Sequence, residues 1–342
     1  MTKSKTEPIP PFKAEDILVA LLQRALSDKR AEAYPISDWQ IEDGRKPTLT
    51  GESIYLRRPD AQPLVDAGLL HYEDNGTIHW HLTVLGVQEA AKLVPGGIPA
   101  LDLKGLLTKV FDLAYFVDTD ESGEPAIPFV WDQGDPASKL VLVLGENAGG
   151  KSFFRRIIRE LTRIARVNDM GKHIPAGPFP VAEMVHLSME GRTGGGFASS
   201  CVYGTEGWLS TGANSAHTIT KGIETLQGRG HRTVAYWDEP DIGMSNGCAA
   251  GAGVTLRTFV ESPSLLVQAI FVTTHSVPLA WQLTTGLTHK PHYVYLGSMT
   301  PPATLADWFV AQQSPVPVSP EALHETGNRR FLRIRDILNR KD

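Results

Sequence analysis

The chain of 342 residues holds two cysteines, Cys201 and Cys248. So few can build neither a disulfide framework nor a Cys-rich metal site, and a reducing compartment, the cytoplasm, is the expected setting. No run of roughly 18 or more apolar residues occurs, so no membrane-spanning helix and no membrane partner are expected. The opening MTKSKTEPIPPFK is polar and Pro-rich and reads as lacking a secretion signal. Charge of either sign is also scarce in excess, the formal net charge being -5. That excludes a nucleic-acid coat or a polybasic membrane binder as the design of the whole chain, though not a local basic face. Internal repeats and coiled-coil heptads are missing. What is present is an ordinary globular mixture, 42% hydrophobic and 21% charged, long enough for one large domain or two ordinary ones.

Residues 1–12 read as a flexible lead-in. Ile17, Leu18, Leu21, Leu22 and Ala25 form one stripe and predict a helix from Ala14 to about Ser27. A polar stretch follows from Asp28 to Arg58, then a short helix near Ala61 to Ala67. Leu69 to Tyr72 and Ile78 to Leu82 flank Asn75-Gly76, a hairpin signal because Asn-Gly tolerates the positive φ such turns need. Thr83 caps a closing helix. The run LVDAGLLHYEDNGTIHWHLTVLGVQEAAKLV resembles the last half of a winged-helix domain, which places a small α+β winged-helix-like domain at residues 13–95. Residues 96–100 (Gly96-Gly97-Ile98-Pro99 at their centre) read as a linker, and residues 101–342 as an α/β domain with a C-terminal helix. Within it, Val110 to Val117 and Ile127 to Trp131 read as two strands. Leu140 to Leu144 is a fully apolar strand of the kind found inside parallel sheets. Further strands are expected at Met184 to Leu187, Val234 to Trp237, Leu266 to Thr273 and Tyr293 to Leu296, alternating with helices.

Gly145-Glu146-Asn147-Ala148-Gly149-Gly150-Lys151-Ser152 matches G-x-x-x-x-G-K-[ST], directly after an apolar strand and before a helical run beginning at Phe153. Glycines let the backbone wrap so that successive N–H groups face phosphate oxygens, and the helix N-terminus adds positive potential. Lys151 would reach the β and γ phosphates of ATP, and Ser152 would offer its hydroxyl to Mg²⁺. Glu146 to Phe153 are therefore the candidate nucleotide-binding residues. Downstream, the apolar run Thr233 to Trp237 ends in Asp238-Glu239. An Asp so placed can hold Mg²⁺, usually through water, and an adjacent Glu can polarise an attacking water.

GENAGGKS, LSTGANSAHTITKGIE, VAYWDEPDIGMS and FVTTHS follow one another in an order similar to that of the ABC-type P-loop ATPases. The likeness is greatest to their soluble branch in DNA recombination, repair and phage defence. It covers roughly Val110 to Leu296 and implies a P-loop NTPase fold of the ABC type. By this resemblance Lys151 and Ser152 are the Walker A residues, Asp238 the Walker B acid, Glu239 the catalytic base and His275 the switch histidine. Ser210 and Gly212 would open the signature motif, which meets the γ-phosphate across an ATP-dependent homodimer, and Asp241 to Asn246 would be a dimer-contact loop. The same Ser-Thr-Gly is also an ordinary helix cap. Ala213 and Asn214 stand where the family has a second Gly and a Gln or Glu. No glutamine lies between Ser152 and Leu226, and Glu190 could take that place.

The resemblance thus implies an ATP-hydrolysing switch coupled to DNA or a partner protein. Alternatives are an ATP sensor or scaffold for a separate effector such as a nuclease, and, further off, a transporter motor subunit or a P-loop kinase. Tyr115 and Trp131 are candidates for stacking on the base, or simply core. His71, His79 and His81 could meet a metal, surface histidines being the plainer reading. Ser199, Ser200 and Cys201 lack a visible paired base. The C-terminal arginines could meet phosphate, a solvated basic helix end being the plainer reading.

Overall fold

The computed structural model describes residues 12–27, 32–35, 47–50, 53–74, 78–121, 123–167, 171–181, 183–188, 210–298 and 300–340. The Asn75-Gly76 turn, Glu190, the Ser199-Ser200-Cys201 run and the Gly-rich stretch 191–207 lie outside them, as does the lead-in save Phe12. Two compact units result. The first comprises residues 1–99 with the short stretches 227–232 and 264–266, and the second comprises 100–226, 233–263 and 267–342. The divide thus falls just after Pro99, inside the expected linker, and two short later stretches group with the first unit.

In the first unit, α1 (Ala14–Leu26) buries the stripe Ile17, Leu18, Leu21, Leu22 and Ala25, one face at helical spacing. Strands β1 (Glu32–Pro35) and β2 (Ile54–Leu56) precede α2 (Arg58–Asp66), the hairpin β3 (Leu70–Asp74) with β4 (Ile78–Leu82), and α3 (Val84–Leu93). Thr83 caps α3, its side chain accepting from the Gly86 N–H. The sheet order is β2-β1-β4-β3, with β1 parallel to β2 and antiparallel to β4. The first two strands fall in the polar stretch, where no strand is expected from pattern. Both are short, four residues and three, so alternation has no length over which to show.

The second unit is α/β. In it α4 (Leu103–Phe111) and the single turn α5 (Ala114–Val117) lead to β5 (Phe129–Asp132), β6 (Leu140–Gly145) and α6 (Lys151–Leu161). A small hairpin, β7 (Arg166–Val167) with β8 (His173–Ile174), precedes β9 (Glu183–Ser188) and α7 (Thr211–Gln227). Then come β10 (Thr233–Asp238), α8 (Asn246–Glu261), β11 (Val267–Thr273), α9 (Val277–Thr284), β12 (His292–Leu296), α10 (Leu305–Ala311) and α11 (Pro320–Asn339). Among the described residues the main sheet has six strands in the order β5-β12-β6-β11-β10-β9. Every neighbouring pair is parallel except β5 with β12.

The apolar run of β6 explains itself in this sheet. Leu140, Leu142 and Leu144 enter one core with α8 and α9, while Val141 and Val143 enter the other with α4 and α6. A strand covered on both faces has no position for a polar side chain. One expectation is corrected. Val110 to Val117 is not a strand but the end of α4 followed by α5. Asp102 starts α4 by accepting from the Gly105 N–H, and Leu103, Leu106, Leu107, Val110 and Phe111 bury one face at helical spacing. Among the described residues, no helix is long and apolar enough to cross a membrane.

Candidate active site

The site grows from the carboxyl ends of parallel strands, where open α/β sheets leave a crevice. Strand β6 ends at Gly145, in the positive-φ region at 146°, and a Cβ there would overlap the Leu296 carbonyl of neighbouring β12. The loop closes at Gly150, φ 97°, which stands at the N-cap of α6. Lys151 and Ser152 open that helix, so the loop amides and the helix N-terminus face the same space.

A cavity of about 500 Å³ lies there. The whole run Asn147 to Phe153 lines it, together with Asp238 and Glu239 from the end of β10. These residues, separated by nearly a hundred positions, are thus brought into one cavity. Lys151 is buried, and its Nζ donates to the Glu146 carbonyl at 2.9 Å and the Gly145 carbonyl at 3.4 Å. Burial pushes its pKa down to about 8, against the raising pull of Glu239, Asp238 and Glu146.

Asp238 sits opposite Thr273 in the β10–β11 register, and the Thr273 hydroxyl donates to its Oδ1 at 2.6 Å. Its Oδ2 faces Arg155 Nε at 3.8 Å and His186 Nε2 at 3.6 Å. Arg155 Nη1 and His186 Nδ1 are 2.6 Å apart. A guanidinium can only donate, so Nδ1 accepts and the ring proton belongs on Nε2, toward the carboxylate. Burial works against ionising Asp238, but the His186 N–H turned toward it, the Thr273 hydrogen bond and the Arg155 charge outweigh it and hold its pKa below the usual value.

Glu239 Oε1 is 3.3 Å from His275 Nε2. That contact is the largest influence on its carboxyl and lowers its pKa; burial opposes, and the charges of His275 and Lys151 add to the lowering while Asp238 works against it. Its backbone N–H donates to the Thr273 carbonyl at 3.0 Å. Ala148 (φ 55°) and Glu239 (φ 50°) are the only non-glycine residues with positive φ among the described residues. Both line the cavity. Such strain persists only where surrounding structure imposes it, and it concentrates at functional sites.

Ser210 and Gly212 are not brought to the cavity. The Ser210 hydroxyl accepts from the Ala213 N–H at 3.3 Å, as a helix cap does. Gly212 instead packs on the Asp241-to-Asn246 loop, where a Cβ would meet the Gly243 carbonyl, and Ser215 donates to the Ile242 carbonyl at 2.8 Å. The start of α7 and that loop are therefore one surface, tied to the strand ends by Thr274 donating to Asp241 Oδ1 at 2.8 Å.

The remaining sequence candidates sort as follows. Tyr115 lies on the helical turn α5, edge-on to Phe153 with ring centroids 4.8 Å apart, and Trp131 on β5 packs near Phe111 at 5.7 Å. Neither lines the cavity. Among the described residues no group of three or more His, Cys, Asp or Glu could hold a metal, so His71, His79 and His81 form no such cluster, and His79 is buried rather than on the surface. Of the C-terminal arginines, Arg329, Arg335 and Arg340 are exposed, as on a solvated helix end, whereas Arg330 and Arg333 are half-buried. Arg330 donates to the carbonyls of Ala148, at 2.9 Å, and Gly297. Arg333 reaches the carbonyls of Glu124 and Pro125 and pairs with Asp120 at 2.8 Å, and Arg340 pairs with Asp118 at 2.7 Å.

Sequence reasoning missed Arg155, His186 and Thr273, and took Arg330 only as one of the C-terminal arginines. A usable signal existed only for Thr273, at the end of an apolar strand beside an acid-ended one. No family model matches the chain, and no curated protein matches it.

Proposed function

We propose that the chain is a P-loop ATPase of the ABC type that binds ATP with Mg²⁺ and hydrolyses it. The observation that carries the reading is the convergence of Asn147 to Phe153 with the Asp238-Glu239 pair in one cavity, with His275, which like Glu146 is not in its lining, against Glu239. The donor set fits magnesium. Ser152 hydroxyl and Asp238 carboxylate are hard oxygen ligands, and Mg²⁺ is usually held by one or two carboxylates, substrate phosphates and waters rather than by an all-protein cage. With both Asp238 oxygens already engaged, an outer-sphere contact through water suits this carboxylate. When bound, the ion would neutralise developing phosphate charge.

The chain's own groups then divide the work. Loop amides and Lys151 hold the phosphates. Glu239, kept ionised by its neighbours, accepts a hydrogen bond from the attacking water. His275 holds Glu239 and contacts the γ-phosphate. Ser210 and Gly212, on a surface away from the chain's own cavity, would serve the site of a second copy, so hydrolysis would require a homodimer closed around two nucleotides. The first unit would contact DNA or a partner protein, in a setting such as repair or phage defence.

One observation favours a second reading, a nucleotide sensor or scaffold with little turnover. The Arg155 guanidinium, 3.8 Å from Asp238, competes with a metal cation for that carboxylate. Steady-state phosphate release, with and without DNA, separates the two. Mg²⁺-dependent turnover above a Glu239→Gln control supports the ATPase, and binding without turnover supports the sensor.

A further inference from the structure

Helix α11 brings the residues Gly327, Arg330, Phe331, Ile334, Arg335 and Leu338 to the cavity. Their spacing is i, i+3, i+4, i+7, i+8 and i+11, one unbroken stripe of a helix. At 1.5 Å of rise per residue the stripe runs about 16 Å. Its near end abuts the phosphate loop, since a Cβ on Gly327 would lie 3.4 Å from the Ala148 Cβ.

The helix contributes no buried residue to a core. It is held by Arg330, Arg333 and Arg340 on carbonyls and carboxylates, and by Ile334 packed against the α4–α6 core. Phe331 and Leu338 remain 63% and 61% exposed. Large apolar side chains left open beside a built cavity are the usual lining of a small-molecule site. The other aromatic candidates, Tyr115 on α5 and Trp131 on β5, do not line this space.

We propose that the α11 stripe is the nucleoside wall of the site, with the triphosphate on the Gly145-to-Ser152 loop and the base laid against Phe331 between Ile334 and Leu338. This rests on the nucleotide reading above and extends it to a segment more than 170 residues downstream of the loop. A wall of this kind takes a base by its flat face. Arg330, bonded to the Ala148 carbonyl, fixes the wall relative to the phosphates.

The test is equilibrium binding of two probes to the full chain, Mg·ATP and Mg·tripolyphosphate, the second having no nucleoside. Phe331→Ala is expected to weaken Mg·ATP about tenfold or more, the scale of lost base–aromatic stacking, and to leave Mg·tripolyphosphate within about twofold. Phe331→Tyr keeps the ring and is expected to bind both like the parent. Because Phe331 is exposed, the alanine variant is expected to fold; a thermal melt checks it, and Leu338→Ser provides an independent variant with the same expected selectivity. Parental Mg·ATP affinity in both Phe331→Ala and Leu338→Ser, or equal loss of both probes, overturns the nucleoside wall alone. Failure of the parent to bind either probe overturns the nucleotide reading as well.

Discussion

His275 Nε2 stands 3.3 Å from Glu239 Oε1, so the second residue past β11 reaches the residue just past β10. The contact keeps Glu239 ionised and aims its carboxylate from a backbone at φ 50°. Replacing Glu239 by Gln keeps the shape and removes the proposed base. Mg·ATP affinity is expected to stay within about threefold while phosphate release falls by roughly a hundredfold or more, the usual scale for a lost general base. Parallel binding and phosphate-release assays check this; an unchanged turnover rate refutes the role.

Lys151 predicts how binding responds to alkali. Its pKa in the free protein is lowered to about 8 by burial, and a bound triphosphate favours the protonated form and raises it. Affinity for Mg·ATP is therefore full below pH 8 and falls as pH rises above it. Near pH 8 and above, binding takes up a proton, visible as a dependence of binding enthalpy on the buffer's ionisation enthalpy. Lys139, also lowered to about 8, donates to the Val267 carbonyl; Lys139→Gln is expected to keep the profile. A flat affinity from pH 7 to 9.5 contradicts the assignment.

Thr273→Val removes the donor to Asp238 Oδ1 without changing shape. Leaving that oxygen short of a partner is expected to cost about 1 to 3 kcal/mol at neutral pH. Asp238 has a lowered folded-state pKa, so its stabilisation exists above its unfolded-state pKa and is lost as pH falls through the folded one. The gap between parent and variant in urea titrations therefore closes in acid. A gap that persists unchanged at low pH would place the loss elsewhere.

Gly243, at φ 75°, lets the Asp241-to-Asn246 loop meet α7, and a Cβ there would lie 2.7 Å from the Thr211 Cβ. Gly243→Ala is expected to destabilise the chain by about 1 to 2 kcal/mol from the left-handed backbone alone, more if Thr211 cannot move. If this surface serves a second copy, the variant also loses the nucleotide-dependent dimer that light scattering would detect in the Glu239→Gln background. Parental stability and an intact dimer together speak against both points.

Much of the second unit was legible because two-sided burial writes itself as apolar runs, as in Leu140 to Leu144 and Val234 to Trp237. The Gly145-to-Ser152 loop and the Asp238-Glu239 pair stand out in the sequence by residue type and spacing, and the structure brings Asn147 to Ser152 and that pair into one cavity. Val110 to Val117 was misread because a short apolar run carries both periods, and the Asp102 cap that decides it lies outside the run. The partners of Asp238 were hidden for a different reason. Arg155 and His186 acquire their roles only when β9 and α6 flank β10, and neither residue type announces an acid thirty or more positions away. Arg330 likewise looks like any helix arginine until its helix lies on the Ala148 carbonyl.

The central claim is that the amides around Gly150 and the Lys151 ammonium hold a triphosphate. Calorimetric titration of Mg·ATP into the folded parent and into Lys151→Ala tests it most directly. The account predicts saturable binding near one nucleotide per chain for the parent and its loss in the variant. No saturable binding of any magnesium nucleoside triphosphate to the parent, or equal binding by Lys151→Ala, would contradict it.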